Sequence, residues 1–119
     1  MTVTLLGLPQ DNNSSFLTGP ALAPNRIREA LHSDSANMFT ETGHDLADPK
    51  CLIDAGDAPC AGLSGQAAFD AIYNAVNGQL GAGETVVSLG GDHSVAYPAI
   101  LAHANSYDGL NILHIDAHP

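Results

Sequence analysis

Thr85-Val86-Val87-Ser88-Leu89-Gly90-Gly91-Asp92-His93-Ser94 decides how the rest of the chain is read. Its first five residues are β-branched or apolar and read as a buried strand. Gly90 and Gly91 then let the backbone turn sharply with positive φ. Asp92 or Ser94 can cap the next helix, predicted over Val95–Ala104 with Pro98 in its first turn. His93 is left projecting above the edge of a sheet. Working upstream, Ala68, Phe69, Ile72, Tyr73, Val76 and Leu80 lie on one face of a helix over Gln66–Leu80, which Gly81 closes. Leu52–Ile53 leads into Asp54-Ala55-Gly56-Asp57, a short strand candidate with a tight exit, and His32–Lys50 reads as a polar surface excursion. Pro24–Leu31 has a short helical apolar face, the loop Gln10–Pro20 is rich in Asn, Ser and Gly, and Thr2–Leu8 is a first buried strand. Downstream, Gly109 breaks the chain and Leu110–Ile115 is expected to be the last strand. Strands alternating with helices in this way predict βαβ units in an α/β fold, with a parallel sheet covered on both faces.

Composition bounds what such a fold could do. The 119 residues suffice for one hydrophobic core, with no repeat or linker to divide them. Apolar residues make up 45% and charged ones 13%, and no apolar run is long enough to span a bilayer, so no membrane partner is expected. The opening MTVTLLGLPQD lacks the basic region and long apolar run of a secretory signal, which makes a cytoplasmic location the expectation. Thirteen acids oppose three bases, Arg26, Arg28 and Lys50, for a net charge of −10. That surface repels phosphate backbones and argues against nucleic acid, while tolerating cationic small molecules and metal ions. Cys51 and Cys60 lack metal-site spacing and read as free thiols.

Both chemistry-bearing segments sit at the carboxyl ends of predicted parallel strands, where open α/β sheets place ligands. Asp116 and His118 are two apart, so in an extended chain they point the same way. With His93 they offer two imidazoles and a carboxylate, a donor set for a borderline divalent ion. Each segment alone has a plainer reading: Gly-Gly-Asp-His-Ser is more often a tight turn with a helix cap, and Asp-Ala-His is weaker still. His114 reads as a satisfied core histidine, and His32, His44 and His103 as surface residues. The same donors also describe the facial triad of a mononuclear iron oxygenase, but those sites usually sit on β-barrels.

At these residues the sequence resembles the ureohydrolases, the arginases, agmatinases and their relatives, and in particular the plant-type arginases and bacterial agmatinase-like proteins. The family carries Gly-Gly-Asp-His-Ser and Asp-Ala-His-x-Asp segments. LLGLPQDNNSSFLTGPALAPNRIREAL, CLIDAGDAP and NILHIDAHP are similar to its first strand and Ile-Arg helix, its Asp-x-Gly-Asp stretch and its later metal motif. The resemblance implies a three-layer α/β/α fold with a parallel sheet, and a centre of two manganese ions. His93 would ligate one ion and His118 the other, with Asp116 bridging both. It implies hydrolysis of a small cationic guanidino compound, agmatine ahead of arginine, to urea and an amine, in a homo-oligomer (trimer or hexamer). The next ligand would follow Pro119, and the later Asp-x-Asp pair, the proton-shuttling histidine and the substrate-binding acid are not among these residues. The expectation is therefore that 1–119 is the N-terminal part of a single ureohydrolase domain, cut inside the Asp-Ala-His-x-Asp motif and inactive alone, no catalytic residue lying within it. The alternative is a non-catalytic short product that binds metal weakly or docks with a partner subunit.

Overall fold

A computed structural model describes residues 2–117. Strand β1 (Val3–Leu8) is followed by a 3-10 turn at Pro20–Leu22 and helix α1 (Ala23–Leu31). Strand β2 (Leu52–Asp57), helix α2 (Gly65–Gly81) and strand β3 (Thr85–Gly90) come next, then a 3-10 turn at His93–Val95 and helix α3 (Ala96–Ser106). The strands form a parallel sheet in the order β2-β1-β3. The βαβ architecture predicted from the alternating pattern is therefore present.

Period two in β1 divides its side chains between two layers. Leu6 and Leu8 join Ile72, Val76, Leu80, Val95, Ala99 and Ala102 in the main core beneath α2 and α3. Gly7 faces the other way, and a Cβ there would press on Pro24 of α1 and on the Asp57 carboxylate. In α2 the buried residues Ala68, Ile72, Val76 and Leu80 recur every fourth position, which is the stripe expected of a helix lying on a sheet. Leu8 and Val76 are fully buried, each stabilising the fold by about 1.5–3 kcal/mol. Pro98 sits in the first turn of α3, where its missing N–H costs no helical hydrogen bond.

Two expectations are corrected. Leu110–Ile115 is not a strand: among the described residues no strand pairs with it, and Leu113 and Ile115 are 87% and 88% exposed. Its β-branched composition is real, but strand structure requires a neighbour to take its backbone hydrogen bonds. Gly90 and Gly91 do not take positive φ; Gly91 is needed for space. The short strand expected where Leu52–Ile53 leads into Asp54-Ala55-Gly56-Asp57 is β2, whose backbone pairs with β1 up to Gly7.

The polar end of β2 is tied to α1 by the sequence's least exposed cation. Arg28 Nε donates to Asp54 at 2.7 Å, Nη1 to Asp57 at 2.6 Å and Nη2 to the Gly56 carbonyl at 2.7 Å. Burial alone would lower the Arg28 pKa, but the hydrogen bonds and charges of Asp57 and Asp54 outweigh it and hold it above the ordinary value. Burial would likewise raise Asp54, yet the Gly56 N–H and the Arg28 guanidinium overcome this and hold it below the usual carboxylate value. A carboxylate depressed in the folded state contributes stability that is present above its unfolded pKa and lost as pH falls through the folded one. Arg28→Ala is expected to destabilise the chain by on the order of 2 kcal/mol at neutral pH, the carboxylates being partly solvated. Urea denaturation should show that deficit shrinking below the ordinary Asp value of 3.8; a deficit independent of pH would mean the clamp works by packing alone. Arg28→Lys should not restore stability, since one ammonium cannot span three acceptors in this fork geometry.

Candidate metal centre

Because β1 lies between β2 and β3, the chain leaves β1 toward one side of the sheet and returns from β2 to the other. Such a reversal opens a crevice at the carboxyl ends of the strands, the usual ligand position in open α/β sheets. Here it falls between the turns after β1 and β3. Those turns touch: Asp92 N–H donates to the Gln10 carbonyl at 2.8 Å. A Cβ on Gly91 would overlap that same carbonyl oxygen, which is why glycine stands there.

Buried polar groups fix both turns. Gln10 Nε2 donates to the carbonyls of Cys60 and Leu63, and its Oε1 accepts from the backbone of Asp11 and Asn12. Of the two candidate caps, Asp92 is the one used. Its Oδ1 accepts from Ser94 N–H at 2.9 Å, and its Oδ2 from Asn13 N–H at 2.8 Å. Asp92 is thus buried and committed to joining the two loops, which leaves the neighbouring His93 as the group offered to solvent. Asp11 Oδ2 accepts from Gly19 and Ala21, shaping the loop. Residues 13–20 with Asp92 and His93 line a cavity of about 470 Å³. The side chain of Phe16 stands exposed in this lining.

Onto this edge the segment after α3 brings two further donors. His93 Nδ1 lies 3.3 Å from Asp116 Oδ2, and His114 Nε2 lies 3.2 Å from the same oxygen. One donor atom from each of the three residues lies within 4.8 Å of the others. The two imidazole rings are 5.5 Å apart, tilted by 54°. His93 and Asp116 are therefore together, as the strand-end argument requires. His118, the third predicted ligand, lies outside the described residues. His114 is corrected: it is no core histidine, its side chain being 63% exposed and directed at Asp116. The signal that could have found it is the alternation 114, 116, 118, which gives it the direction of Asp116. His103 is occupied elsewhere, its Nδ1 2.8 Å from the Ala99 carbonyl one helical turn back.

Two neutral imidazoles and a carboxylate suit a borderline divalent cation. Donors about 2.1 Å from an ion stand roughly 3.0 Å apart in octahedral and roughly 3.4 Å apart in tetrahedral geometry. The separations of 3.2 and 3.3 Å fall between those limits, while the three donors together span up to 4.8 Å, so the set fits a metal ion once the two imidazoles close in. Cys51 and Cys60 are free and take no part; burial pushes the Cys60 thiol pKa up, away from reactivity.

Fold and site together describe an α/β protein with a candidate divalent-metal edge at its strand-order reversal. The sequence profile of the Arginase family matches residues 1–119, and the chain belongs to that family. It is 43% identical over 125 aligned positions to "Arginase 1, mitochondrial" of Oryza sativa subsp. indica, covering 97% of this chain and 36% of that protein. It is 35% identical to the agmatinase of Bacillus subtilis, covering 96% of this chain and 39% of that protein. The solved structure of arginase from Medicago truncatula superposes with a TM-score of 0.85 at 37% identity, over 99% of this chain and 39% of that one. The chain thus spans well under half the length of these relatives. No helix among the described residues is long and apolar enough to cross a membrane.

Proposed function

We propose that residues 1–119 form the N-terminal part of a manganese-dependent ureohydrolase that converts a guanidino compound to urea and an amine. The observation that carries this reading is the meeting of His93, in the turn after β3, and Asp116, on the segment after α3, at the carboxyl edge of a parallel sheet. Family membership and relatives named arginase and agmatinase support it. So does the incomplete cover of the sheet, with Ile53 on β2 and Val87 on β3 exposed, where a parallel sheet is ordinarily buried on both faces.

In the whole enzyme His93 and His118 would each hold one of two manganese ions and Asp116 would bridge them. Such ions supply a nucleophile at neutral pH by lowering the pKa of bound water, and they orient the substrate. The chain's own part is to place the donors and to wall the approach. The Asp92 links to Asn13 and Ser94 hold the loop beside His93, and residues 13–20 frame the cavity through which a substrate reaches it. The net charge of −10 favours a cationic substrate. Agmatine is placed ahead of arginine by analogy with the bacterial relatives named agmatinase. A homo-oligomer, trimer or hexamer, belongs to the same proposal.

The 119-residue chain, purified and loaded with manganese, is expected to release no urea from agmatine or arginine. Measurable release would show that the remaining half of the ligand set and the substrate acid are dispensable, and would overturn this account of the chain as a part. The intact mass of the natural product is the companion measurement. A value near three times 12.2 kDa agrees with the 36% coverage, whereas 12.2 kDa itself would favour a non-catalytic binding or docking role.

A further inference from the structure

His114 is used by neither the sequence reading nor the proposed two-ion centre, yet it completes a donor set. We propose that His114, with His93 and Asp116, binds a single borderline divalent cation in this chain, Zn²⁺ or Co²⁺ more tightly than Mn²⁺. The inference rests on the metal reading of His93 and Asp116 and deepens it by naming a third ligand and an ion preference.

The geometry is that of three donors gathered around one carboxylate oxygen, which an ion would draw closer together. Asp116 Oδ2 is shared between His93 Nδ1 at 3.3 Å and His114 Nε2 at 3.2 Å, and the three donors span no more than 4.8 Å. The two rings approach one carboxylate oxygen with different nitrogens, so one ion placed among them needs the Nε2–H tautomer of His93 and the Nδ1–H tautomer of His114. Both tautomers are open to them, since no hydrogen bond to either ring other than those at Asp116 is seen among the described residues. Both imidazoles are about two-thirds exposed, so an ion can enter without unfolding anything. A two-imidazole, one-carboxylate set follows the general rise in affinity from manganese to cobalt, and imidazole suits zinc better than manganese. The backbone on which His114 sits is irregular rather than strand, so its ring is free to swing toward the ion at little cost.

The test is calorimetric titration of the full 119-residue chain with ZnCl₂, CoCl₂ and MnCl₂ separately, for wild type and for His93→Ala, His114→Ala, Asp116→Asn and His118→Ala. Wild type should bind one Zn²⁺ or Co²⁺ at least tenfold more tightly than Mn²⁺, and His114→Ala should weaken Zn²⁺ by tenfold or more. Far-UV circular dichroism should be unchanged in that variant, because the His114 side chain is 63% exposed and lies outside helix and strand. In a second, fold-independent readout, the Nε2 resonance of His114 in ¹⁵N-labelled wild type should move on adding Zn²⁺ while its Nδ1 stays protonated. Loss of affinity in both His114→Ala and His118→Ala would keep His114 in the set and add His118. Unchanged Zn²⁺ affinity in His114→Ala, with an unmoved His114 ring, overturns the inference. If His93→Ala and Asp116→Asn still weaken binding in that case, the general metal reading stands without it. No Zn²⁺ binding by wild type, or binding indifferent to all four substitutions, overturns both.

Discussion

Gly91→Ala is expected to be the most damaging single-methyl change in the chain, costing on the order of 3–5 kcal/mol. The new Cβ would overlap the carbonyl oxygen of Gln10, and both partners are backbone, so no flexible side chain can yield. To relieve the overlap the turns after β1 and β3 must part. That breaks the Asp92 N–H bond to Gln10 and strains the Asn13 N–H bond to the Asp92 carboxylate, at a point where Gln10 and Asp92 are buried. Against a total stability of roughly 5–15 kcal/mol for a domain of this kind, such a loss removes a large share. Gly90→Ala is the control: its Cβ would meet only Cγ2 of Val95 at 3.2 Å, a contact that a small side-chain shift relieves. Urea denaturation of the two variants separates the cases. Equal, small shifts in both midpoints would mean that the two turns are not in the contact described.

His93→Ala in the complete natural protein is expected to have the opposite signature, a large functional loss at nearly unchanged stability. The imidazole is 66% exposed and anchors nothing in the core, so folding stability should stay within about 0.5 kcal/mol. Losing a group that merely orients a metal ligand costs about 10–100-fold in metal affinity, and losing the ligand itself should cost at least about 100-fold. Urea release at limiting manganese should fall in proportion and recover in part when manganese is raised. A variant that keeps wild-type activity at limiting manganese would remove His93 from the metal site.

The contrast between these variants shows what was legible in the sequence. Local patterns were enough for β1, α1, α2, β3 and α3, because each carries its own period and its own breaker, such as the stripe from Ala68 to Leu80 closed at Gly81. They were also enough to anticipate His93 and Asp116 at one edge, both following apolar runs, although only the run before His93 is a strand. What failed depended on partners distant in sequence. Leu110–Ile115 has strand composition but no neighbouring strand among the described residues, and propensity without pairing gives irregular backbone. Gly91 was read for conformational freedom, whereas its role is set by Gln10, far back in the sequence. His114 was assigned to a core that this segment does not enter. The Arg28 clamp joins residues 26 and 29 positions apart, across a surface loop that no local pattern bridges.

The most direct measurement is urea release from agmatine by the complete natural protein before and after chelation of its metal. The account predicts activity that disappears on chelation and returns when Mn²⁺ is added back. Absence of urea from both agmatine and arginine in the Mn²⁺-loaded protein, or release indifferent to chelation, would contradict it.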